Sequence, residues 1–340
     1  MKKNLWLLLP VAAFLVFPFL VKGYVVGIVV VAGVFALTVI GLDLILGYGG
    51  QLALGHTGFM ALGAYSSALL TTKLGVSPWL ALALGVLGTS LVAYLVGIAT
   101  LRLRGIYFGM ATIGFAIAVV NLLAGLRDQT GGSTGLRYIP PLSIGEFAFD
   151  TDLKSFFLVW GIVFVVYILS RNLIRSRYGR ALCAVQEDEE AAYASGIDVA
   201  TTKVQAFVLS AAYASLGGSL YAHYMQFITP NHFETDVLIL QLLMLYIGGK
   251  GTLWGGILGA LLLRLLPEFM GSLLDYATIV YGFVFVLALL FLPAGIAGAL
   301  KALADKVGWL DKPTAPLRSA TSGVAWTSGE AGPFHRGEGR

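Results

Sequence analysis

Ten stretches of this 340-residue chain are apolar over lengths near the roughly 20 residues that cross a bilayer. They fall at about 4–22, 24–46, 52–71, 78–100, 105–126, 153–172, 204–223, 236–249, 252–267 and 276–298. The eighth and ninth are short and separated by Gly248-Gly249-Lys250-Gly251, so they read equally well as one broken hairpin. Non-helical backbone at membrane depth is tolerated only against protein or a water-filled cavity. The fold class is therefore an all-α integral membrane protein, a polytopic bundle of about ten transmembrane helices with at least one glycine-broken helix. With 43 glycines, the chain is built for helices that approach closely.

Orientation follows from lysine and arginine. With the amino terminus in the cytoplasm and ten crossings, 16 of these residues fall on cytoplasmic segments and 6 on or near the outer surface. That asymmetry satisfies the positive-inside rule and puts both termini in the cytoplasm. The pI of about 9.0 and the net charge of +4 are then topological, and no nucleic-acid partner is implied. The start, Met1-Lys2-Lys3 followed by an apolar run, imitates a secretory signal. It is too long and lacks a small-x-small cleavage site, so it reads as a retained first span. Residues 1–298 form the transmembrane domain, with an outer loop at about 127–152 and a cytoplasmic loop at about 178–203. Leu300, Leu303, Val307 and Leu310 recur at helical spacing and predict a short interfacial helix over 299–311. The tail, 312–340, is rich in Gly, Ser, Thr and Pro and reads as disordered.

The cytoplasmic loop is a charged island in a chain with only 12% charged residues. Its centre, Glu187-Asp188-Glu189-Glu190-Ala191-Ala192-Tyr193-Ala194-Ser195-Gly196, reads as one short helix. Acids crowd the first turn, where the helix dipole favours them, and Gly196 stands where a C-terminal cap would stop it. A charge run between spans is also what a plain solvated loop looks like.

Catalytic chemistry has little footing. Residues 244–251 approach a nucleotide-binding loop but carry Met244 for its first glycine and Gly251 for its Ser/Thr. Four scattered histidines offer no metal-ligand spacing, and no cofactor is implied. Cys183 stands alone, without a disulfide partner. The segment most suggestive of a transport path is 47–59, where glycines and polar side chains interrupt an apolar stretch; Gly49, Gly50, Gln51, Gly55 and His56 are its candidates. Helix packing alone accounts for the same glycines, and a lone His56 for a hydrogen-bonded core residue. Asp43, at the end of the second span, is a carboxylate best explained there by hydration or a helix-end hydrogen bond.

Taken together, these pieces resemble the LivM-type permease subunits of branched-chain amino-acid ABC importers. The matching stretches are Gly49-Gly50-Gln51-Leu52-Ala53-Leu54-Gly55-His56 with Gly63-Ala64-Tyr65, residues 101–112, Thr130-Gly131-Gly132-Ser133, Tyr178-Gly179-Arg180-Ala181 leading into 187–192, and residues 249–255. They run in family order from about 40 to 298; the tail has no counterpart, and Thr134 stands where Asp is common. The resemblance implies a prokaryotic inner-membrane permease working with a homologous LivH-type subunit, two cytoplasmic ABC ATPases and an external substrate-binding protein. It implies that Glu187, Asp188, Glu189, Glu190, Ala191, Ala192 and Gly196 form a cytoplasmic coupling helix docking an ATPase. It further implies that Thr130, Gly131, Gly132 and Ser133 meet the binding protein. Urea and short amides are the competing substrates. An ion-coupled secondary transporter would need paired intramembrane carboxylates, and Asp43 is the one candidate.

Overall fold

The computed structural model describes residues 14, 16–100, 103, 105–270, 282, 283, 286, 290 and 295–306. The chain divides into two units, Met1–Ala299 and Leu300–Arg340. In the first, helix α1 (Gly23–Leu42) continues into a π-helical turn, Asp43–Tyr48. An unwound stretch, 49–55, leads to α2 (His56–Leu74), then α3 (Pro78–Thr100) and α4 (Ile106–Gly125). The loop that follows holds a one-turn helix α5 (Arg127–Thr130), a 3₁₀ turn (Gly132–Thr134) and strands β1 (Leu136–Arg137), β2 (Ser143–Ile144) and β3 (Phe147–Ala148). Helices α6 (Asp152–Arg175), α7 (Arg177–Glu187), α8 (Glu189–Ala194) and α9 (Val199–Met225) come next. Strand β4 (Phe227–Ile228) and a 3₁₀ turn (Pro230–Phe233) precede α10 (Thr235–Gly248), α11 (Leu253–Met270) and α12 (Gly295–Lys306).

Four helical segments among the described residues are long and apolar enough to cross a membrane: Gly23–Tyr48, Pro78–Thr100, Ile106–Gly125 and Asp152–Arg175. The first is buried at the centre. The other three turn apolar faces outward; on α3 the exposed residues Leu80, Leu84, Leu87, Leu91, Leu95 and Ile98 follow helical spacing down one side. A stripe of that length is untenable in water and ordinary against lipid or a partner helix.

Helices α2 and α9 are less apolar because their polar groups satisfy one another inside the bundle. The Ser219 hydroxyl donates to the Gly63 carbonyl at 2.9 Å, and the Ser215 hydroxyl to Thr89 Oγ1 at 3.1 Å. His223 Nδ1 lies 2.7 Å from the Pro140 carbonyl, which can only accept, so that nitrogen carries the proton and Nε2 accepts from Ser67, 2.8 Å away. Small residues permit this closeness: a side chain at Gly218 would run into the Met60 carbonyl, and one at Gly63 into Ser215. The outer-loop strands are short ribbons: β1 pairs antiparallel with β4 (Leu136 opposite Ile228) and β2 with β3 (Ser143 opposite Ala148).

The eighth and ninth apolar segments are two distinct helices, α10 and α11, joined by a turn at 249–252. Most of the first span, most of the segment 276–298, Val307, Leu310 and the tail lie outside the described residues, as do Arg102 and Arg104. Leu300 and Leu303 fall on α12, which begins at Gly295 and is described to Lys306.

Candidate functional site

The charged island folds as two helices, not one. Ser176 starts α7, its hydroxyl accepting from the Gly179 amide at 3.4 Å, and Gly179, Leu182 and Val185 form its buried face. At Asp188 the backbone becomes extended, and the Asp188 carboxylate accepts from the amides of Glu190 (2.8 Å) and Ala191 (3.1 Å). Glu187 is thus the last residue of α7, and Asp188 is the N-cap of α8; the expected first turn contains only Glu189 and Glu190. The break has a physical cause: a short carboxylate that satisfies two free amides outweighs continuing the helix through four adjacent acids. At the other end Gly196 takes φ +82°, and the amides of Gly196 and Ile197 donate to the carbonyls of Tyr193 (2.9 Å) and Ala192 (3.1 Å). This is a Schellman ending, so the cap expected at Gly196 is present. Glu190, Ala191 and Tyr193 face outward, while Ala192 is buried.

Three side chains hold this segment to the bundle. Lys203 of α9 pairs with Glu189, the Tyr178 hydroxyl donates to the Thr202 carbonyl at 3.0 Å, and Gln186 Nε2 donates to the Gly47 carbonyl at 3.0 Å. Cys183 lies within α7, where burial, with Glu187 adding to it, pushes its thiol pKa up and leaves it a poor nucleophile.

A cavity of about 190 Å³ opens between this segment and the unwound stretch. Gly49, Gly50, Gln51 and Leu52 form one wall; residues 185–189, Lys203, Phe207, Phe108 and Gly97 form the others. The structure therefore brings three path candidates and three coupling candidates around one space. Gly50 has φ +65°, and a Cβ there would lie 2.9 Å from Gln186 Cγ, so glycine is required for conformation as well as room. The cavity carries three carboxylates, of Glu187, Asp188 and Glu189, the Lys203 ammonium paired with Glu189, and apolar surface from Leu52, Phe108 and Phe207.

The other two path candidates lie outside this cavity's lining. A Cβ on Gly55 would sit 2.7 Å from the Thr112 carbonyl, so this glycine seats α2 against α4. His56 is buried between α2 and α9, bonded to the Ser210 hydroxyl. Both serve helix packing.

In the outer loop, Thr130 is also buried. Its hydroxyl donates to the carbonyls of Leu123 (2.6 Å) and Leu126 (2.9 Å) and accepts from the Gly132 amide (3.1 Å). Gly131 and Gly132 adopt positive φ within the same turn, and of the four candidates Ser133 alone is exposed. The motif shapes the loop. Ser133 and, beside the motif, Thr134, Arg137 and Tyr138 are exposed, the last almost wholly and with φ 61°. No residue pattern marks Tyr138 in advance, because its exposure follows from a turn that glycine spacing alone does not specify.

The family described as "Branched-chain amino acid transport system / permease component" matches residues 24–290. The chain belongs to this family. The high-affinity branched-chain amino acid transport system permease protein LivM of Salmonella typhimurium is 31% identical over 318 residues, covering 87% of this chain and 75% of the relative. LivM of Escherichia coli is 31% identical over 319 residues with the same coverage. The LivH permease protein of Salmonella typhimurium is 26% identical over 290 residues, 79% of this chain and 93% of the relative. No solved structure matches the chain. As a permease component the chain is a transporter subunit rather than an enzyme, and the apolar helices are those of a membrane protein.

Proposed function

We propose that this permease is the LivM-type half of an ABC importer that moves leucine, isoleucine and valine into a prokaryotic cell. It crosses the inner membrane ten times with both termini in the cytoplasm, and it pairs with a LivH-type subunit. Two cytoplasmic ATPases supply the energy, and an external binding protein delivers the substrate. Helix α8 is the coupling helix; Glu190, Ala191 and Tyr193 offer the ATPase its surface, with Gly196 setting the exit of the chain. The outer loop at 127–152 receives the binding protein. The stretch 49–52 belongs to the path, and the cavity it shares with 185–189 is the cytoplasmic end of that path.

The observation that carries this reading is that shared cavity: candidate path and candidate coupling residues line one space of mixed polarity. Substrate exit and ATPase movement then act on the same few residues. The test is uptake of labelled leucine and of labelled urea into vesicles holding the four-component complex, with ATP inside and loaded binding protein outside. Leucine uptake that requires ATP supports the reading; uptake of urea alone overturns the substrate. Reporter fusions after Lys3 and after Gly339 check topology, and an external signal from either overturns the ten-span arrangement.

A further inference from the structure

The π-helical turn ending α1 touches two parts of the molecule that nothing in the sequence connects. At its start, Asp43 is fully buried, and its Oδ1 accepts from the Gly251 amide at 2.7 Å, in the turn between α10 and α11. The other carboxylate oxygen has no hydrogen-bond partner among the described residues. Four residues on, the Gly47 carbonyl accepts from Gln186 Nε2 at 3.0 Å, at the end of α7. Gly47 itself is clamped: a Cβ there would lie 2.8 Å from Asp43 Cγ and 2.9 Å from the Gly251 nitrogen. With no slack between them, the carboxylate, the glycine and the α10–α11 turn shift as a unit when the Gly47 carbonyl is moved. π-Helical turns are rare and gather at functional sites, and a carboxylate buried in a membrane helix calls for a role.

We infer that Asp43 and Gln186 are positioning residues of the transport cycle, carrying displacement of the coupling segment through Gly47 to the α10–α11 turn. This rests on the importer reading above. Residue 43 supplies one hydrogen-bond acceptor on a short side chain, and its charge is not what the joint uses. Asparagine retains that acceptor. Alanine removes it and leaves the buried Gly251 amide unpaired, while Gln186→Leu cuts the joint at its exposed end.

The experiment uses the reconstituted complex with matched amounts of assembled protein. Two readouts are taken: stimulation of ATP hydrolysis by leucine-loaded binding protein, and the mobility of a spin label at Lys250→Cys on adding a non-hydrolysable ATP analogue. Cys183→Ser removes the native thiol. Asp43→Ala and Gln186→Leu should lose stimulation by about tenfold and abolish the label's response. Asp43→Asn should stay within about twofold of wild type, and Asp43→Ala/Gln186→Leu should be no worse than the more severe single variant, because the two act in series. Additive losses, or a label that still responds in Gln186→Leu, would overturn the joint, as would Asp43→Asn failing as badly as alanine. If Asp43→Ala does not assemble, Gln186→Leu and its label decide alone. The label reads ATP without substrate: a wild-type response to nucleotide but none to leucine would leave the joint standing and remove the substrate assignment.

Discussion

Between Tyr48 and His56 the chain unwinds for seven residues and a cavity opens beside them; between Gly248 and Leu253 it turns in four, and backbone packs onto backbone. Both breaks are glycine-rich and both interrupt apolar segments. In the first, Gly49 and Gly50 edge a space that stays open, although a Cβ on Gly49 would lie 2.7 Å from the Ile45 carbonyl oxygen and one on Gly50 2.9 Å from Gln186 Cγ. In the second, a Cβ on Gly248 would run into the Gly255 carbonyl, and one on Gly256 would lie 2.8 Å from Val39 Cγ1. Glycine content therefore says that a side chain is missing, and only the neighbours say whether the space is kept or closed.

Substitutions at the two breaks should fail in different ways. The largest effect is expected at Gly248→Val, where the obstruction is a carbonyl that cannot rotate away. Overpacking costs about 1–3 kcal/mol even where side chains can shift, so the yield of folded complex should collapse. Normal yield with impaired transport would erase the contrast between the breaks. Gly97→Leu is next. Residue 97 faces the cavity from α3, its Cβ would meet Phe207 Cδ1 at 3.3 Å, and exchanging a helical glycine gains roughly 0.8–1 kcal/mol of helix propensity. Assembly should hold while leucine uptake falls severalfold or more. This variant is a cleaner probe than Gly50→Leu, which fills the same space but adds backbone strain at φ +65°.

A third glycine sharpens the point. Gly196 has φ +82° and open space around it, so Gly196→Val tests strain alone, at about 1–2 kcal/mol. Co-purification of the ATPase should weaken while permease yield is unchanged; Gly196→Asn, which tolerates the same conformation, should do less harm. The smallest effect belongs to a cap with no glycine. Asp198 begins α9, accepting from the Thr201 hydroxyl (2.6 Å) and amide (3.1 Å), and these bonds hold its carboxyl below the ordinary 3.8. With the folded value depressed, its stabilisation is complete above the unfolded value and is lost as pH falls through the folded one. Thermal unfolding at pH 7 and near pH 3 should show a slightly smaller acid loss in Asp198→Asn than in wild type.

Most helices were legible from hydropathy alone. The expected segments 78–100, 105–126 and 153–172 lie within two or three residues of α3, α4 and α6, because long apolar runs leave the backbone one economical choice. Of the candidate site, Gly49, Gly50 and Gln51 share a cavity with candidate coupling residues, whereas Gly55, His56 and Thr130 lie at packing and turn positions away from it. Local pattern cannot separate these roles, since each depends on a distant neighbour: Thr112, Ser210 and Leu123 respectively. The Asp43–Gly251 contact spans 208 positions and leaves no mark on the sequence at either end. The split at Asp188 was missed because helix formers continue on both sides of it.

Helix α8 has six residues, no more than half of the roughly 12–15 an isolated helix needs to persist in water. Its shape is lent to it by Asp188 at one end, Gly196 at the other and Lys203 from the neighbouring helix. Excised as a peptide it would be a coil. A partner that grips this surface therefore grips something that exists only after α7 and α9 have come together. Recruitment of the motor would then double as proofreading, with an unfinished permease attracting no ATPase.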